Sequence, residues 1–213
     1  HHDILIFNDP IFYYGEMAAA NKIISYGSKK IGVNKSQLLK GHMPKISYRT
    51  SNLINKIYES PKIKDNIISS RSRSLYVPTS FSANFHYGPF RDIDDIEYLK
   101  WQKTLTKSIP GCEIKTHPKN MSEFKLKNIK STLDSLEKVI PDYDFIIIDY
   151  ISTAAAIIFA TSKPVVYFDI GLRSINKIAE KTIKKRCFYV DFKNLNYNEE
   201  KIKKSIAKFY KSK

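Results

Sequence analysis

At 213 residues the chain is long enough to bury the core of one large domain, or of one domain with an appendage. Lys plus Arg number 36 against 21 Asp plus Glu, a formal charge of +15, so a polyanionic or anionic-surface partner enters consideration, while the heavy excess of lysine over arginine argues against dedicated base or phosphate-fork recognition. No run approaches the roughly 20 apolar residues of a membrane-spanning helix, and the two cysteines, Cys112 and Cys187, form no CxxC motif, read as buried free thiols and suggest no metal site.

In chain order, Asp3 to Phe7 predicts a strand broken by Asn8-Asp9-Pro10, and Phe12 to Gly15 is an aromatic stretch. Asn21 to Tyr26 predicts a short strand, Ser36 to Lys40 a brief helix ending at Gly41, and Thr50 to Tyr58 another short helix. Residues 59–73 are polar and carry no clear pattern. Leu75 to Val77 then predicts a strand running into Pro78-Thr79-Ser80, followed by a long loop to Pro89. Asp92 to Ser108 predicts a helix, because Ile93, Ile96, Leu99, Trp101 and Leu105 recur near helical spacing, with acids first and lysines last. Cys112 to Thr116 predicts a strand leading into His117-Pro118-Lys119, and Ser122 to Ile140 predicts an amphipathic helix with Phe124, Ile129, Leu133, Leu136 and Ile140 on one side.

The most informative stretch is Asp144 to Asp169. Phe145 to Ile148 is a short, fully apolar, β-branched run that suits a strand buried on both faces of a parallel sheet. Asp149, Tyr150 and Ile151 turn the chain into Ser152 and Thr153, which fit the cap and first turn of an alanine-rich helix over Ala154 to Ala160. Lys163 and Pro164 end it, and Val165 to Phe168 predicts the next buried strand. A helix from Ser174 to Lys185, a strand from Cys187 to Val190 and a basic helix from about Asn198 follow. This regular alternation predicts an α/β fold, an open parallel sheet with helices on both faces. From Arg173 to Lys213 there are 13 basic and 4 acidic residues, a net of +9. That excess reads either as a solvated lysine face or as a membrane-surface segment.

Three predicted strand ends direct ligand-capable residues to one edge: Thr79 and Ser80, then His117, then Asp149, Ser152 and Thr153. A lone histidine is ordinarily a loop or cap hydrogen-bonding residue; placed in a strand-end loop flanked by Lys115 and Lys119, His117 equally suits a phosphate. Ser152 suits a plain N-cap, a phosphate contact, or both. Asp149 suits a loop-fixing role.

These segments also carry a resemblance. LYVPT at 75–79, IKTHPK at 114–119 and DFIIIDYISTAAAIIFATSKPVVYFD at 144–169 resemble the C-terminal nucleotide-binding half of GT-B transferases that build bacterial surface polymers. The pattern is similar to that of CDP-glycerol glycerophosphotransferases and surface-carbohydrate transferases, including capsule Kdo transferases, in which "YxPT", "HP" and "DYSS/DYST…A…KP" segments recur in this order. SYGSKK and GHMPK, between residues 25 and 45, are similar to the lead-in to that domain, so the resemblance covers about residues 21–191. It implies a Rossmann-like, GT-B C-terminal fold over 21–213 with a basic C-terminal helix, and a preceding-domain remnant or interdomain segment over 1–20. It also implies that His117, Ser152 and Thr153 bind the donor's phosphates, with His117 catalytic through its contact with the departing nucleotide. Thr79 and Lys119 join them as phosphate contacts, and Asp149 and Ser80 as supporting residues. DYIST departs from DYSST at Ile151, where the family's usual hydroxyl is missing.

The expected function is therefore donor binding in a glycosyl- or glycerophosphotransferase. Its donor would be a nucleotide-activated sugar or glycerol of CDP/CMP or UDP type, and its acceptor a polysaccharide or lipid-linked polymer. Such an enzyme needs an N-terminal acceptor domain as well, so this chain is expected to bind donor without turning it over alone. No metal or other cofactor is required by this scheme. The expected location is cytoplasmic, peripheral at the inner face of an anionic membrane. Two rival classes are a non-catalytic nucleotide- or partner-binding module of the same fold and a nucleic-acid-binding protein, the latter disfavoured because no aromatic-interleaved basic motif is present. A sugar-nucleotide epimerase shares the fold.

Overall fold

The computed structural model describes residues 23–25, 38–40, 68–81, 93–117, 130–193 and 198–212. The expected strand at 3–7, the helix at 50–58, the segment 1–20 and Lys119 lie outside them. Strands β1 (Ile23–Ser25) and β2 (Leu38–Lys40) pair in parallel as a two-stranded sheet, so the brief helix expected over 36–40 is instead a strand.

The main sheet takes its strands from β3 (Ser74–Val77), β4 (Glu113–Lys115), β5 (Ser131–Thr132), β6 (Phe145–Ile148), β7 (Val165–Asp169) and β8 (Phe188–Asp191). Their spatial order is β5-β4-β3-β6-β7-β8 and every pairing is parallel. Counted within the sheet, this is the 3-2-1-4-5-6 order of a doubly wound α/β fold: the chain starts at the centre, winds outward to one edge, then returns to wind outward to the other. The fold expected from the sequence, a Rossmann-like open parallel sheet, is thus what the chain forms.

The central strands alternate residue by residue between two cores, as a pleated strand covered on both faces must. Tyr76, Phe145, Ile147, Val166 and Phe168 enter one core, with α1 (Asp95–Ser108) and α5 (Glu199–Lys211) supplying Tyr98, Trp101, Leu105, Ile202, Ile206 and Phe209. Leu75, Val77, Ile146, Ile148, Val165 and Tyr167 enter the other, against α2 (Leu136–Val139), α3 (Thr153–Phe159) and α4 (Lys177–Arg186). In α1 the buried positions 98, 101, 102, 105 and 108 form the stripe that a helix lying on a sheet requires. Asp94 caps its start by accepting the Glu97 N–H at 2.8 Å, and Asn176 and Asn198 cap α4 and α5 in the same way. Arg186, in the last turn of α4, donates to the carbonyl of Phe159 at 3.3 Å, an acceptor that the end of α3 leaves open, and to those of Thr161 at 2.6 Å and Lys163 at 3.1 Å in the loop that follows.

A second expected helix also differs. The expected helix over 122–140 has its first part outside the described residues, and its second part is not continuous helix. Ser131–Thr132 is the edge strand, paired with Ile114 and Lys115, and the helix starts only at Leu136. Leu133, expected on the apolar face, is 56 % exposed. The two cysteines are free, as the sequence suggested, Cys112 buried and Cys187 half-buried. Burial pushes the Cys112 thiol up to about 11 and the Cys187 thiol up to about 12, so both stay protonated and unreactive near neutrality.

Candidate binding site at the β3–β6 switch point

In an open parallel sheet the two strands at which the winding reverses leave a crevice at their carboxyl ends, because their following connections depart in opposite directions. Here those strands are β3 and β6, with β4 on the far side of β3. Thr79 and Ser80 follow β3, His117 follows β4, and Asp149 to Thr153 follow β6, so the sheet brings these sequence-predicted residues to one edge. His117, Ser152 and Thr153 are half-buried; Thr79, Ser80 and Asp149 are buried.

The Ser152 hydroxyl accepts the Ala154 N–H at 3.2 Å, the N-cap role its position predicts. Thr153 opens α3, a helix of seven residues. Lys115, at the carboxyl end of β4, donates to the Thr116 carbonyl at 3.1 Å. Burial pushes its ammonium below the usual lysine range, partly offset by Asp134 and Glu137.

Asp149 does more than fix its own loop. Its carboxylate, 1 % exposed, accepts the Trp101 Nε1–H at 2.9 Å, the Tyr98 hydroxyl at 3.1 Å and the Tyr76 hydroxyl. Tyr76 and Tyr98 are themselves fully buried, as is Trp101. Burial, reinforced by the adjacent Asp149 charge, pushes the Tyr76 hydroxyl far above its usual range, so it serves as a donor at any physiological pH. The Tyr98 oxygen also accepts the backbone N–H of Thr79 at 2.9 Å. One cluster therefore ties α1 to the loops after both β3 and β6. Trp101 packs beyond it on Phe168 and Phe192, with ring centroids 5.4 and 5.6 Å away.

A second buried carboxylate closes β7. Asp169 pairs with Lys193 at 2.8 Å and accepts the Tyr189 hydroxyl and the Gly171 N–H, the latter at 3.1 Å. Gly171 holds φ +77°, the left-handed conformation that lets the chain turn back so tightly after the strand. Arg173, buried two residues later, lies with Nη1 3.4 Å from the Tyr150 hydroxyl and so links the loops after β7 and β6.

Tyr76, Tyr98, Trp101 and Arg173 were not singled out as site residues from the sequence. The helical spacing marked Trp101 as a core position, but nothing local indicates that its indole N–H meets Asp149 across 48 positions of chain. Among the described residues no group of three or more His, Cys, Asp or Glu side chains could hold a metal ion, and no helix is long and apolar enough to cross a membrane.

Neither a protein-family model nor a curated protein sequence matches the chain. Among solved structures it is similar to one described as the structure of the wall teichoic acid polymerase TagF, at 15 % identity and a TM-score of 0.33. The similarity covers 84 % of this chain and 48 % of that one, so the chain spans about half of the TagF chain's length. At that score it is a distant likeness of chain path, and no residue role is drawn from it.

Proposed function

We propose that this chain is the donor-binding half of a transferase that uses a nucleotide-activated donor, a glycosyl- or glycerophosphotransferase of surface-polymer synthesis. The observation that carries the proposal is the reversal of winding between β3 and β6, which gathers Thr79, Ser80, His117, Asp149, Ser152 and Thr153 along one carboxyl edge. The resemblance of the segments at 75–79, 114–119 and 144–169 to the surface-polymer transferases supports the same reading.

In this reading the crevice receives the donor's phosphates. The His117 imidazole donates a hydrogen bond to a phosphate oxygen, with Thr79, Lys119 and the Ser152–Thr153 pair as further contacts. As the bond to the transferred group breaks, negative charge accumulates on the departing nucleotide, and donors already aimed at it stabilise the transition state more than the ground state. Catalysis is then electrostatic rather than covalent. The exposed lysines of α5, Lys201, Lys203, Lys204, Lys208 and Lys211, lie away from its buried Ile202, Ile206 and Phe209, and the reading turns that face toward an anionic membrane bearing the acceptor.

Calorimetric titration with CDP, CMP, UDP and UMP tests the proposal. The expected result is saturable binding of one nucleotide class, weakened by about 1–3 kcal/mol in His117→Ala, the worth of a hydrogen bond to a charged group. A folded chain that binds none of the four contradicts it.

A further inference from the structure

We infer that Tyr98 is a positioning residue for the donor crevice: together with Asp149 it fixes the spacing between the loop after β3 and the loop after β6. The inference rests on the nucleotide reading proposed above and adds a residue of α1 to it. The two loops flank the crevice, and each supplies candidate phosphate contacts immediately downstream of the tied atom. Thr79 N–H donates to the Tyr98 oxygen at 2.9 Å, and the Tyr98 hydroxyl donates to Asp149 Oδ1 at 3.1 Å.

The bridge requires one oxygen that accepts from one loop and donates to the other, which a phenol can do and a phenyl ring cannot. Its position is over-determined. The Tyr98 ring is fully buried and meets Phe81, in the β3 loop, edge-on with centroids 5.6 Å apart. The other carboxylate oxygen, Oδ2, is held by Trp101 at 2.9 Å and by Tyr76 on β3 itself. The carboxylate is thus pinned from the strand and from the helix, and Tyr98 passes that fixed reference to the neighbouring loop. Small displacements of groups that grip a ligand are costly, so a part that sets loop spacing acts on affinity beyond its share of stability.

A like bond at the opposite edge of the sheet supplies the control. The Tyr143 hydroxyl donates to Glu113 Oε2 at 2.8 Å, just before β6 and at the start of β4, and touches neither crevice loop. Tyr98→Phe and Tyr143→Phe each delete one hydroxyl and keep the ring. The experiment measures Tm and the Kd for CDP, CMP, UDP and UMP on wild type and both variants. The expected result is that Tyr98→Phe weakens binding by about tenfold or more while Tyr143→Phe, despite a lowered Tm, stays within about twofold of wild type. If Tyr98→Phe lowers Tm and leaves Kd within twofold, the bond is a stabilising contact alone and the inference is overturned. Asp149→Asn carries the same comparison should Tyr98→Phe not fold. Wild type failing to bind any of the four overturns the nucleotide reading itself, a result distinct from a binding-competent Tyr98→Phe.

Discussion

Trp101→Ala is expected to destabilise the protein by about 3–5 kcal/mol, the range for truncating a large buried aromatic. Trp101 is fully buried against Phe168 and Phe192, in the layer between the sheet and α1, so the void has rigid walls on both sides. The truncation also removes the indole N–H from Asp149. Against a typical total stability of about 5–15 kcal/mol, such a loss leaves the domain close to its unfolding threshold at room temperature. Urea denaturation followed by circular dichroism measures the loss directly, since the chain's single tryptophan is the residue replaced. Trp101→Phe separates the two contributions: it keeps most of the packing, deletes the hydrogen bond, and is expected to cost about 1–3 kcal/mol. Equal costs for the two variants would mean that the ring contributes little beyond its N–H, contrary to its place in the core.

Asp149→Leu is the second large effect. The substitution keeps the side chain's branching, with two bulkier methyl groups in place of the carboxylate oxygens, and removes the acceptor shared by Tyr76, Tyr98 and Trp101. Each buried donor deprived of its acceptor costs about 1–3 kcal/mol. The expected total loss therefore rivals that of Trp101→Ala although no cavity is made. The diagnostic measurement is a double-variant cycle with Tyr76→Phe. Because Tyr76→Phe deletes a donor that Asp149→Leu has already stranded, the pair is expected to cost at least about 1 kcal/mol less than the sum of the singles. Strict additivity would mean that Tyr76 and Asp149 act independently, which their hydrogen bond contradicts.

Both effects arise from a cluster that local sequence patterns do not announce. The strands around it were legible because a central parallel strand is covered on both faces, so Phe145 to Ile148 and Val165 to Phe168 read as unbroken apolar runs bounded by turn residues. Knowing that the strands are parallel also sends Thr79, His117 and Asp149 to one edge, because the carboxyl ends of all such strands lie together. Failure came where the signal is local and short. Leu133, Leu136 and Ile140 imitate a helical stripe, yet the two-residue edge strand at Ser131–Thr132 is defined by pairing with β4 and has no periodicity of its own. Leu38–Lys40 likewise forms a strand by pairing with Ile23–Ser25 across a long connection.

The Asp149 cluster escaped for a different reason. Its donors lie 48, 51 and 73 positions away along the chain and belong to residues whose bulk already explains their burial. An aromatic side chain at a core position of a helix carries a polar tip as well, and tertiary packing alone decides what that tip meets. A buried aspartate directly after an apolar strand is nonetheless a signal, since a carboxylate there must find donors, and the aromatic residues of the neighbouring helix are the candidates within reach.

The claim that the carboxyl edge around β3 and β6 is the binding edge is tested most directly by mapping amide shift changes by NMR as the nucleotide that binds in calorimetry is titrated to saturation. The expected result is a cluster of perturbed amides at 79–81, 116–117 and 149–153, with those near Arg73, Glu113 and Asp144 at the opposite edge unmoved. Perturbations confined to that opposite edge, or none at saturating nucleotide, would contradict the assignment of the crevice.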